Sequence, residues 1–162
     1  SPAPAAAIRA VPAAASRTCS TSVSAAIRAV YPLQGRNHPV MRILLIAFVV
    51  TQLVTGLLLW IAPGFFYDEI GPYGPRNDHY MADLATFYLA LGCVGLIALR
   101  RVSWRVPVLA FAVIAYALHS LNHLIDVGAA EPSWLGPANL ALISLSTLLL
   151  AWMLKREREL AA

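Results

Sequence analysis

The sequence predicts an all-α fold: a bundle of four transmembrane helices with both termini on the cytoplasmic side. Three observations carry that expectation. The chain of 162 residues is 59% hydrophobic and only 12% charged, against about 45–50% and about 25% in soluble domains. Its apolar residues gather into four runs, each near the roughly 20 residues that a helix needs to cross the hydrocarbon of a bilayer. The few charges and all the tryptophans sort to the ends of those runs.

The N-terminal quarter stands apart. Residues 1–40 are rich in Ala, Pro, Ser and Arg, and hold Arg9, Arg17, Arg28 and Arg36 with no acidic residue, so they account for the whole net charge of +4. Residues 41–162 carry eight basic and eight acidic residues. The segment repeats itself, with Ala6-Ala7-Ile8-Arg9-Ala10-Val11-Pro12 returning as Ala25-Ala26-Ile27-Arg28-Ala29-Val30-Tyr31-Pro32. Pro2, Pro4, Pro12, Pro32 and Pro39 break any long helix. No apolar core of a secretory signal precedes Val40. Residues 1–40 therefore read as a flexible basic leader or tail ahead of Met41, with an organellar transit peptide as the alternative. Nucleic acid is not expected as a partner, because the basic excess is not clustered on a folded face. Two cysteines, Cys19 and Cys93, make no disulfide framework, and Cys93 reads as a small buried hydrophobe.

The first span runs from Ile43 to about Ala62 without a charge, and Pro63-Gly64 ends it. The second runs from about Tyr80 to Leu99, with Asn77 or Asp78 as its N-cap and Asp83 as its one charge. The third runs from Val106 to about Ile125, with Pro107 in its first turn, where the missing N–H costs nothing. The fourth runs from about Leu135 to Leu154, opened by Gly136-Pro137, and the run Lys155 to Glu159 reads as its solvated, frayed end. Such runs must be helical, because lipid offers no partner to an unpaired backbone group. They are continuous rather than alternating, which excludes a barrel.

Orientation follows from the basic residues. Arg36 and Arg42 precede span one, Arg100, Arg101 and Arg105 fill the turn between spans two and three, and Lys155, Arg156 and Arg158 follow span four. The other loops hold Asp68, Glu69, Asp78, Asp126 and Glu131 against Arg76 alone. Trp60 and Trp134 mark the outer edge, Trp104 and Trp152 the inner one. The expected location is the bacterial plasma membrane, with the lipid bilayer as the first partner.

Polar residues inside spans are costly and by default suggest function. On span three, His119, Asn122, His123 and Asp126 recur at spacings of three and four and share one stripe, which Tyr116 and Ala112 extend inward. On span two, His79, Asp83, Thr86, Ala90 and Cys93 form a comparable stripe. Antiparallel spans would bring Asp83 and His79 level with His123 and Asp126, and Asn139 begins span four at the same height. His119 and Thr86 would lie about 10 Å deeper, at 1.5 Å per residue. Gln52 and Thr55 face one side of span one near mid-membrane. The implied picture is an outward-facing His/Asp pocket.

Four readings of it stand side by side. His119 and His123, joined by Asp83, Asp126 or His79, could hold a metal, and histidine could also ligate haem. The stripe lacks the glutamate of a zinc-protease helix. A His/Asp chain could carry protons for a transporter. The pocket could take a quinone or another small apolar, lipid-like ligand. Or the side chains are hydrogen-bonding glue between helices, about 0.6 to 2 kcal/mol per bond. No single cofactor is singled out. Gly92 and Gly95 read as sites of close helix approach.

Gly71-Pro72-Tyr73, Asn77-Asp78-His79-x-x-x-Asp83, Tyr88-Leu89-Ala90-Leu91-Gly92 and His119-x-x-x-His123 together resemble small four-helix integral membrane proteins of actinobacterial type, similar in layout to DoxX-like proteins. The resemblance covers about residues 41–155, with Gly74-Pro75-Arg76 departing from it. It implies a four-helix membrane protein in which these Asn/Asp/His positions are family features. It further implies, by analogy of fold alone, a link to redox or quinone-linked membrane complexes. The expected role is a binding or accessory subunit that meets a small apolar ligand or a membrane partner protein. An oxidoreductase component with a metal, haem or quinone, and a proton-coupled transporter, remain the alternatives.

Overall fold

All four apolar runs are helices in the computed structural model, which describes residues 38–161. The leader expected over residues 1–40 therefore lies outside the described residues up to position 37. Helix α1 spans Pro39–Ile61, α2 Pro63–Glu69, α3 Asp78–Arg100, α4 Arg105–Ile125 and α5 Leu135–Ala161, with a single 3-10 turn at Val102–Trp104 between α3 and α4. The four long helices, α1, α3, α4 and α5, are long and apolar enough to cross a membrane. Over the described residues the chain is thus a helical, multi-pass bundle.

Local chemistry sets the boundaries. Pro63 stops α1 and, as the first residue of α2, starts a short helix inside the loop. Asn77 caps α3: its side-chain oxygen accepts from the backbone N–H groups of His79 at 3.1 Å and Tyr80 at 3.2 Å. Beside it, Arg76 donates to both carboxylate oxygens of Asp78, at 2.6 and 2.9 Å. That hydrogen-bonded pair raises the Arg76 guanidinium above its ordinary pKa.

Small residues decide which face of α3 is buried. Gly56 lies against Leu89, Gly92 against Leu53, and Gly95 against Val49, so α1 and α3 run antiparallel in close contact. Helices in lipid gain from such approaches, because packing replaces the missing hydrophobic drive. Ala85, Leu91, Gly92, Gly95 and Ala98 form the buried side of α3. At about 100° per residue, Asp83 lies half a turn away from Gly92. His79, Asp83, Thr86, Ala90 and Cys93 therefore face outward, all exposed. This corrects the expectation that the α3 stripe faces the bundle interior, and that Cys93 is buried.

The second antiparallel pair is α4 with α5, joined across its middle by a hydrogen bond between the hydroxyls of Ser120 and Thr147 at 3.1 Å. The two pairs meet at the end where the arginines gather. There Met41, Leu45, Phe48 and Val49 of α1 pack with Leu91 and Ala98 of α3, Leu109 and Ala112 of α4, and Leu150 and Met153 of α5.

A buried ion pair closes the same end. Arg105 Nη1 donates to Glu157 Oε1 at 3.3 Å, with side chains 4% and 6% exposed, and Arg105 Nε donates to the Ala98 carbonyl at 3.4 Å. The helix α5 continues through this region. The C-terminal run is therefore not a frayed end. Glu157 continues the buried Leu150–Met153 line by four residues, one helical turn, and Arg105 neutralises it.

Candidate functional site

Away from the arginine end, polar side chains lie between the two helix pairs. Gln52 is near the middle of α1 and completely buried. Its Nε2 donates to the Tyr116 hydroxyl of α4 at 2.7 Å, bridging the two pairs. Its Oε1 is buried with no hydrogen-bond partner among the described residues. A buried amide normally uses both ends, since each unmet group loses its solvation without return.

A cleft of about 140 Å³ opens beside this bridge, between α1, α3 and α4. Its walls are mainly Gln52, Phe87, Tyr88, Leu91, Tyr116 and His119. A second cleft of about 130 Å³ lies on the other side of the same bridge, between α1, α4 and α5. The Gln52–Tyr116 pair thus stands as a partition between two apolar openings. In the second cleft, the nearby hydroxyls of Thr51 and Ser146 are spent on their own helices, bonding the carbonyls of Ala47 at 2.9 Å and Leu142 at 2.8 Å.

Toward the loop end, α4 carries the polar line further. The His119 and His123 rings meet edge to face with centroids 4.7 Å apart. His123 Nδ1 lies 3.1 Å from the Tyr73 hydroxyl. Asn139 Nδ2 donates to that hydroxyl at 3.4 Å and to the Ile70 carbonyl at 3.0 Å. Tyr73 pairs through its backbone with Ala130, so the α2–α3 loop is stitched to the α4–α5 loop. Gly74, at φ +61°, turns that loop, and Tyr67 donates to its carbonyl at 2.5 Å.

The eight candidate residues therefore divide. His119, His123 and Asn139 come together with Tyr73. Asn122 and Asp126 are exposed beside them. Asp83 pairs instead with His79, Oδ2 to Nε2 3.6 Å, both largely exposed. Thr86 bonds the Asp83 carbonyl at 2.6 Å. Asp83 does not join His119 and His123, and among the described residues no three His, Cys, Asp or Glu side chains converge as a metal shell.

Sequence spacing singles out Gln52 and Tyr116 without placing them at the centre of the site, and Tyr73 and Tyr88 enter only through the motifs of the resemblance, not as site residues. The available signal was the lone amide in the middle of the uncharged apolar run 43–62. Comparison with family models, with curated proteins and with solved structures finds no match.

Proposed function

We propose that this multi-pass protein binds a small lipid-soluble molecule in the cleft between α1, α3 and α4, acting as a binding or accessory subunit of a bacterial plasma membrane. The observation that carries the reading is the buried Gln52–Tyr116 bridge in the wall of an apolar opening at the middle of the membrane-crossing helices. Pockets for small ligands are mostly apolar with a few placed polar groups. A bundle built only for stability would fill such a space, because packing is its main source of association. The DoxX-like resemblance of the layout belongs to the same proposal.

The orientation proposed has both termini cytoplasmic. It is supported by Arg100, Arg101, Arg105, Lys155, Arg156 and Arg158, all at one end of the bundle. In that orientation Tyr73, His123 and Asn139 face outward, and the cleft opens sideways to lipid.

Photolabelling tests the reading. The protein in lipid nanodiscs is exposed to an alkylbenzene bearing a diazirine, and the label is mapped by mass spectrometry. Labels should concentrate on Phe87–Leu91 and Ala115–His119 and fall when excess unlabelled alkylbenzene is added. Labels spread evenly over all lipid-facing residues, with no competition, would overturn the proposal.

A further inference from the structure

We infer that the cleft recognises its ligand through a hydroxyl group: a single-ring phenol, or an alcohol head of similar size, carried on an apolar tail. The inference rests on the cleft being a binding site, as proposed above, and adds the chemistry that selects the occupant.

One N–H of Gln52 Nε2 goes to the Tyr116 oxygen, 2.7 Å away, and Gln52 Oε1 is left without a partner among the described residues. Tyr116, accepting that bond, keeps its own O–H proton free to donate. The pair therefore keeps the Tyr116 O–H and the second Gln52 N–H as donors and Gln52 Oε1 as an unmet acceptor. Turning the amide over exchanges the two roles but leaves the same pair on offer. A hydroxyl answers both, accepting from Tyr116 and donating to Gln52. An ether or ketone answers only the donor, and a hydrocarbon answers neither.

The remaining walls fit the rest of such a molecule. The cleft volume of about 140 Å³ is close to the roughly 150 Å³ that admits a benzene ring in a protein cavity. Phe87 and Tyr88 offer ring surface to an aromatic head. Phe87 is 69% exposed, so the mouth is open to lipid and leaves a path for a tail. The second cleft shares the bridge, but beside Tyr116 it has one ring, Phe48, and its hydroxyls donate to their own helices.

Three probes of nearly equal shape test this: p-octylphenol, its methyl ether, and octylbenzene. Each competes against the diazirine alkylbenzene for the full chain in nanodiscs. The phenol is expected to compete at about tenfold lower concentration than the ether, the difference of one buried hydrogen bond. In Gln52→Leu and Tyr116→Phe that preference of phenol over ether should shrink to less than about twofold. Gln52→Met is measured beside them, with helical content and melting as the check on folding. Equal competition by all three probes in the unaltered protein overturns hydroxyl selection but leaves the cleft as a site. A phenol preference that persists in all three variants overturns the assignment to Gln52 and Tyr116. No competition by any probe overturns the binding site itself.

Discussion

A methyl group added at Gly95 would stand 2.6 Å from Val49 Cγ2, and one at Gly92 would stand 2.5 Å from Leu53 Cδ2. Val49 is β-branched and buried, with little freedom to turn aside. Gly95→Ala should therefore destabilise the bundle by about 1–3 kcal/mol, the usual cost of overpacking. Gly128→Ala meets open space and should change little. Thermal unfolding in detergent reads both. Tyr73 is the other residue with a sharp expectation. Tyr73→Phe removes a hydroxyl shared by His123 and Asn139, and each lost bond is worth about 0.5–1.5 kcal/mol. Amide exchange over residues 70–77 should rise several-fold, while the α1–α3 contact stays protected. The same scale shows where sequence reading stopped. His119 and His123 were legible as a pair, because polar residues four apart on an apolar helix share a face, and Asn139 joined them by its height at the start of span four. Asp83 was misassigned, because spacing cannot choose between two faces of α3 half a turn apart. The glycine face won by allowing closer approach.

Among the elements, α5 differs most from its sequence reading. The charged run after Leu154 resembles a solvated terminus, but Glu157 falls on the buried line and meets Arg105. Removing one partner of a buried pair strands a charge, at a cost of about 3–5 kcal/mol. Glu157→Ala should lower stability by that order. Glu159 makes surface contacts with Lys155 at 3.9 Å and Arg156 at 3.0 Å, and such pairs are worth about 0–1 kcal/mol. Glu159→Ala is therefore the matched control, and equal losses in the two variants would contradict the buried pairing. Helix α2 was not legible as an element, though Pro63 was read correctly as a stop. A proline that ends one helix also suits the first position of the next, and the sequence does not say which use dominates.

For the molecule as a whole, the class of fold was legible because lipid permits so few solutions to four long apolar runs. What could not be read was how tightly each pair of helices closes. Small residues seal α1 against α3, and the apolar cluster with Arg105–Glu157 seals one end. Between them the pairs part around Gln52 and Tyr116, and the opening is a property of the assembly rather than of any one helix. The proposed role depends on that opening. Native mass spectrometry of the protein released from nanodiscs loaded with p-octylphenol tests it most directly. The account predicts one retained molecule per chain, lost when Ala115→Trp fills the cleft. No retained molecule, or equal retention by the filled variant, would contradict it.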